Sequence, residues 1–501
     1  MMRIDCDVAV LGSGFGGTLL ALLANKLGRT VALVERGTHP RFAIGESSTP
    51  LADFKLARIA ERFNLPWLRP LAKYGPWKRS YPHLTCGLKR GFSFFRHEPG
   101  REFTPAERNA NALIVAASPD EEKSDTHWFR AEFDSHLVDR AVDAGVPYFD
   151  QCEVHAIRHT DRGWELDAAR PDGEVQIRAA FLVDGSGTGQ AVAQTLGLKN
   201  VDPSRLLTRS RALYSHFTGV ERWHDVLGPA FNADHPFLCD AAALHQIIDG
   251  GWMWVLRFEN GITSAGFSLD PDVHPVRSDE TAEQEWRRLL ETYPSLARQF
   301  ARAEPVRPFT RTGRLQRRFT QAAGPDWALL PHTAGFLDAW LSPGIAQTLF
   351  AVNRLARALE GWRTSHFAAR LAEYDRLVLR ELEWVDEITG TCFACMDRFP
   401  VMAVASMLYF TAAIYCEERE RRGEASPHDA FLLADHDEYR AIAAKLFRTA
   451  RTLPAADAHR FLLEARAMLE PYNSCGLLDP SRNNMYPYTA SCPAVCFSGC
   501  E

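Results

Sequence analysis

The chain opens on "CDVAVLGSGFGGTLLALLANKLG", in which an apolar run meets Gly12-x-Gly14-x-x-Gly17 and an apolar helix pattern follows. A second apolar run, "TVALVER", comes next and ends at Glu35 and Arg36. This reads as strand, glycine turn, helix and strand. Gly12 permits the tight turn, Gly14 lets a pyrophosphate approach the backbone, and Gly17 lets helix and strand pack closely. The helix N-terminus supplies free N–H groups and positive potential for phosphate. Glu35 stands where a carboxylate accepts ribose hydroxyls. A free 2′-hydroxyl fits that acid, which means FAD or NAD rather than NADP.

A chain of 501 residues is too long for one hydrophobic core, so more than one module is expected. The net charge of −6, with no basic stripe, argues against a nucleic-acid footprint. No run reads as a membrane span, and the N-terminus lacks a signal-peptide pattern, so the expected location is cytoplasmic. The eleven cysteines are scattered, which fits reduced thiols. Cys392 and Cys395 form a CxxC without a zinc-type second pair, and Cys492, Cys496 and Cys500 crowd the end. Buried thiols are the plainer reading of the first pair; metal or disulfide chemistry stays open at the second.

The expected architecture is α/β: a Rossmann-type FAD-binding domain, an inserted mixed β-sheet substrate domain and a C-terminal helical module. The first is read over 1–64, 126–200 and 311–360, the second over 65–125 and 201–310, and the third over 361–501. The stretch "CGLKRGFSFF", Cys86–Phe95, reads as one strand by its alternation. On it Lys89 shares a face with Gly87, Gly91 and Ser93, which would leave open space beside the amine.

Later motifs narrow the class. "RFAIGESSTP" holds Arg41, Glu46 and Ser47 soon after the second strand; Arg130 precedes an amphipathic helix; "VDGSG" carries Asp184; "GFLDAWLSPGI" carries Asp338, Ser342, Gly344 and Ile345. This order resembles the two-domain flavoprotein monooxygenases of the para-hydroxybenzoate hydroxylase type. The resemblance implies FAD, with Arg130 and Asp338 on its phosphate and ribityl chain. "GESSTP", "CGLKRGFSF" and "GWMWVLRF" together resemble the reduced-flavin-dependent halogenases of the free-phenol type, over roughly residues 5–350. That resemblance implies halogenation of an electron-rich phenol. A flavin C4a-hydroperoxide would oxidise chloride or bromide to hypohalous acid, and Lys89 would guide that species. Trp252 and Trp254 would screen substrate from flavin. A separate flavin reductase would be a partner.

The chemistry can be argued independently. Free hypohalous acid is indiscriminate and must be held by a hydrogen-bonding or amine group. A lysine in a partly desolvated site has a lowered pKa and a usable nitrogen. A snorkelling strand lysine is the plainer alternative. The "LSPGIAQ" turn offers the amides of Gly344 and Ile345 and the Ser342 hydroxyl to a halide or, equally, to the flavin; Pro343 cannot donate. His83, His97 and His127 are candidate bases. Leu256 and Arg257 stand where the family has Ile-Pro, which keeps a hydroxylase of the same fold open. A non-catalytic flavin-binding partner is the third reading.

Overall fold

A computed structural model describes residues 2–488. The strand Met2–Leu11 lies at the centre of an eight-stranded sheet, paired in parallel with Val31–Val34 and Gly173–Asp184. Gly173–Asp184 pairs in parallel with Trp327–Leu329, and Val31–Val34 with Tyr148–Phe149. Val8 to Val10 and Val31 to Val34 are buried, as continuous apolar runs in a parallel sheet must be. The helices Phe15–Lys26, Arg130–Asp143 and Gly344–Glu360 follow or flank this sheet.

A second sheet of nine strands is mostly antiparallel. It takes Gly91–Arg96 and Ala112–Ala116 from one part of the chain, and Arg211–Thr218, Ala243–Ile248, Gly251–Arg257 and Thr263–Leu269 from another. Met485–Tyr486 returns from the far end of the chain to pair with Ala112–Ala116. Apart from that short strand, the described elements after residue 365 are helical, led by Ser365–Ala394 and Phe399–Arg421.

Two expectations change here. "CGLKRGFSFF" is not one strand. It breaks at Arg90, whose N–H donates to Ala241 O. Cys86–Lys89 pairs only with Asp125–Trp128, while Gly91–Arg96 enters the nine-stranded sheet. The alternation therefore does not carry across the break. The glycines also do not leave space. A Cβ on Gly87 would sit 1.9 Å from Arg257 O, and one on Gly91 2.1 Å from Val115 O. Both are close backbone crossings, which only glycine permits.

Phe399–Arg421 is long and apolar enough to cross a membrane, contrary to the reading of the sequence, but 83% of its apolar window is buried within the protein. Lys55 of the helix Pro50–Arg62 pins it through a buried ion pair with Glu420 at 2.6 Å. Its apolar length is explained by the neighbours it packs against. Cys392 and Cys395 are buried free thiols, and burial pushes the Cys392 pKa up to about 11. Such thiols are inert. Cys492, Cys496 and Cys500 lie outside the described residues.

Candidate functional site

The glycine turn has the geometry of a pyrophosphate cradle. Gly12 has φ of 93°, and a Cβ there would meet Gly185 O at 2.7 Å; a Cβ on Gly17 would meet Gly12 O at 2.0 Å. Gly14 is the open position, with Arg130 Nη2 3.5 Å from where its Cβ would stand. The Arg130 guanidinium is 7% exposed and makes a two-pronged pair with Asp134 at 2.8 and 2.7 Å. It also donates to Ile44 O and Gly45 O and lies over the Phe15 ring. A fixed cation therefore faces a helix N-terminus free of side chains.

Glu35 closes the other end of this groove. It accepts from Ser13 N and Oγ, both at 3.0 Å, from Gly37 N at 2.9 Å and from Arg41 at 2.9 Å. Burial pushes its pKa up, but Gly37 N–H, Arg41 and Ser13 outweigh it and hold the pKa below the usual carboxylate value. Beyond it the segment from Arg41 to Ser47 carries buried polar atoms with no hydrogen-bond partner among the described residues: Arg41 Nε, Glu46 Oε2 and Ser47 Oγ. Glu46 Oε1 meets His216 Nε2 at 2.9 Å. A polar cofactor such as FAD fits a cradle, a ribose acceptor and a row of orphaned polar atoms on one path.

Lys89 stands directly behind that row. Its Nζ donates to Ser48 O, and Ser48 N in turn donates to Thr126 O at 3.0 Å. The side chain is fully buried, with Nζ 4.1 Å from the Phe92 ring centroid. Burial lowers its pKa to about 8, against the opposing pull of Asp125 and Asp53. Those two carboxylates share Lys73, at 3.1 and 2.8 Å. His127 and His245 are neutral beside it: burial, aided by the Lys89 charge, takes both down to about 3. Of the other candidate bases, His97 is locked to Gln246 at 2.8 Å in a separate core, and His83 is exposed.

An aromatic wall continues from Phe92. Phe94 stacks on His245 at 4.4 Å, His245 on Trp252 at 5.0 Å, and Trp252 meets Trp340 edge-on at 5.2 Å. Trp254 follows on the same strand face, against Tyr214. Trp340 leads into the "LSPGI" turn, where Leu341 and Ser342 have φ of 62° and 55°. Two adjacent non-glycine residues in the left-handed region cost about 1–3 kcal/mol each and mark a loop whose shape is held by its surroundings. The helix Gly344–Glu360 starts there, so the Gly344 and Ile345 amides lie in its unpaired first turn. Arg257 pairs with Asp240 and donates to Val220 O.

On the far side of Phe92 is a small apolar cavity of about 20 Å³, room for about one water molecule. Its wall includes Thr49 to Leu51, Val115 to Ala117, and Tyr409, Phe410, Ala413, Ile414 and Glu417 of the long helix.

A family model for tryptophan halogenases matches residues 120–399. The chain is 30% identical to the tetracycline 7-halogenase of Kitasatospora aureofaciens, over 81% of this chain and 73% of that one. The chain is a flavin-dependent halogenase. It is also 29% identical to monodechloroaminopyrrolnitrin halogenase PrnC of Pseudomonas fluorescens, over 86% of this chain and 78% of the relative. Its fold matches halogenase PltM, solved with phloroglucinol and FAD, at a TM-score of 0.85 and 24% identity, covering 96% and 99% of the two chains. The halogenase uses FAD, and a halide as co-substrate.

Two of the expected cofactor residues have several partners within the chain. Asp338 is 4% exposed and accepts from Ser210 Oγ and Ser268 Oγ at 2.7 Å and from Trp340 N at 3.0 Å. Asp184 holds Ser186 N and Oγ and Val192 N at 2.6–3.0 Å, bracing the turn after its strand. Both shape the groove from behind. Sequence reasoning missed the Asp53–Lys73–Asp125 cluster, which only tertiary pairing reveals.

Proposed function

We propose that this halogenase carries out electrophilic halogenation of a phenol-like aromatic, with Lys89 handing over the halogen. One observation carries the reading. A fully buried lysine of lowered pKa lies between the orphaned polar atoms of the Glu46–Ser48 loop and the Phe92 ring, where the aromatic wall begins. Reduced FAD and O₂ supply the oxidant that turns halide into hypohalous acid. Arg130 and the Gly12–Gly17 turn would hold the cofactor's pyrophosphate, and Glu35 a ribose. Ser342 and the first-turn amides of Gly344 and Ile345 would hold the halide. Lys89 near its pKa can donate a hydrogen bond to hypohalous acid or take the halogen on nitrogen. Trp252, Trp254 and Trp340 would separate substrate from flavin. The relatives named for tetracycline and for monodechloroaminopyrrolnitrin, and the neighbour solved with phloroglucinol, support an aromatic substrate. A separate flavin reductase would supply the reduced cofactor.

Product mass spectrometry on phenols, indoles and pyrroles tests this, with FAD, a flavin reductase, NADH, O₂ and bromide. The expected result is a bromine isotope doublet that vanishes in Lys89→Ala. A gain of oxygen independent of bromide and of Lys89 would replace the reading with hydroxylation, the alternative that Leu256 and Arg257 keep in view.

A further inference from the structure

A second groove opens at the edge of the nine-stranded sheet, and none of its lining residues belongs to the glycine turn, the Lys89 strand or the aromatic wall. Its volume is about 800 Å³, within the range of small-molecule sites. The floor is the strand Thr310–Arg314 beside the start of Arg211–Thr218; the walls come from residues 203–209 and 271–276. The walls are mainly apolar: Leu207 and Val276, one from each, are 44% and 48% exposed. The Leu207 wall is held in place, because Leu207 N and Thr208 N donate to Asp386 at 2.8 and 2.9 Å. Gly313 lies in the floor, and a Cβ built on it would meet nothing within 4 Å.

Three arginines line this groove and no acidic residue does, in a chain whose net charge is −6. Arg211 and Arg314 are direct cross-strand partners. Like charges in that register repel unless an opposite charge lies between them. Arg211 is 2% exposed; its Nε and Nη2 donate to His274 O at 2.9 and 2.7 Å, and Nη2 also meets Glu285. Glu285 is shared with Arg311 and Arg288, at 3.4 and 4.0 Å, so it does not neutralise Arg211 alone. Arg211 Nη1 is buried and has no hydrogen-bond partner among the described residues, a costly state for a guanidinium N–H. Arg314 donates through Nη2 to Pro203 O at 2.7 Å and Thr208 O at 3.4 Å and has no carboxylate partner among the described residues. Arg209 and Asp272 form an exposed pair, of the kind that contributes little.

We propose that this groove is a second binding site, for a small organic acid whose apolar body lies between Leu207 and Val276 and whose carboxylate bridges Arg211 and Arg314. A carboxylate fits the guanidinium fork, accepts the Arg211 N–H that lacks a partner and removes the repulsion between the two cations. The apolar walls call for more than a bare anion, since inorganic phosphate would leave them in water. The site stands independently of the Lys89 chemistry.

The probe is 2-naphthoate, with neutral 2-naphthamide as its control, titrated by calorimetry at pH 7 into the full chain loaded with FAD. Naphthoate should bind about tenfold or more tightly than the amide, the scale of one hydrogen bond to a charged group. Arg314→Gln should remove that preference. Gly313→Trp should fill the groove and abolish binding of both. Val276→Glu, at an exposed position, should repel naphthoate and spare the amide. Flavin absorbance should show FAD bound in all three variants. Equal binding of acid and amide to wild type would overturn the proposal. So would naphthoate binding that survives both Gly313→Trp and Val276→Glu, because the acid would then sit elsewhere. A naphthoate preference that persists in Arg314→Gln would overturn the arginine bridge.

Discussion

Lys89 and Asp125 are cross-strand partners in the two-stranded sheet that Cys86–Lys89 forms with Asp125–Trp128, and both side chains are fully buried. The carboxylate raises the lysine's pKa against the larger effect of burial, which lowers it to about 8. Asp125→Asn removes that support and should move the Lys89 pKa further down, by about one unit or more for the loss of a nearby opposite charge. Nitrogen NMR of the lysine side chains reads this directly, and the limb of the halogenation pH profile near pH 8 should shift to lower pH with it. An unchanged titration would mean that Asp125 serves Lys73 alone.

The same burial makes Lys89 a cost to the fold. Its pKa falls from the ordinary 10.5 to about 8 on folding. The unfolded chain therefore binds more protons between those values, so stability rises with pH across that window. The penalty is full below pH 8 and gone above about 10.5; a shift of this size corresponds to roughly 3 kcal/mol. Lys89→Met should therefore be inactive yet more stable than wild type at pH 7, with the gain shrinking as pH rises toward 10. Denaturant melts of the FAD-loaded protein at pH 7 and pH 9.5 check the sign. A variant less stable at both would show that the Ser48 and Phe92 contacts outweigh the buried charge.

Legibility divides along the range of the interactions. The Gly12–Gly17 turn and Glu35 could be read because their geometry is set within a few residues. The break at Arg90 could not, because it depends on Asp125–Trp128 claiming one half of the run and Ala112–Ala116 the other. Asp184 and Asp338 sit in the right neighbourhood, but sequence order says nothing of which lone pairs are already used. Ser210 and Ser268 come from a different sheet to satisfy Asp338. Lys89 stands out only through the family resemblance, since its strand alone reads more readily as a surface lysine. The apolar helix Phe399–Arg421 is hard to read because its charged tail, "EERERR", looks solvated, while Glu417, Glu418 and Glu420 are buried.

Gly87 tests the packing that replaces the expected channel. A methyl group there would press on Arg257 O at 1.9 Å and on His127 Cβ at 3.2 Å. Backbone cannot yield as a side-chain tip can, so Gly87→Ala should cost about 1–3 kcal/mol. It should also disturb Lys89, two residues on. Thermal melts should fall by several degrees, and halogenation should fall with them. A stable, active Gly87→Ala would restore the idea of free space beside the lysine.

Glu35 is the last test, because it has two possible jobs. It anchors the glycine turn through Ser13 and Arg41, and its position at the strand end suits a cofactor ribose. Glu35→Gln keeps the size and one acceptor but removes the charge. Hydrogen bonds to a charged acceptor are worth about 1.5–3 kcal/mol, so FAD affinity should fall about 10- to 100-fold. Ser13→Ala separates the two jobs, since it takes away the turn anchor at Oγ and leaves the carboxylate. If Glu35 holds ribose, Ser13→Ala should weaken FAD by less than tenfold in a flavin fluorescence titration. If Ser13→Ala costs as much as Glu35→Gln, the carboxylate acts by shaping the turn, and the ribose contact belongs to another group.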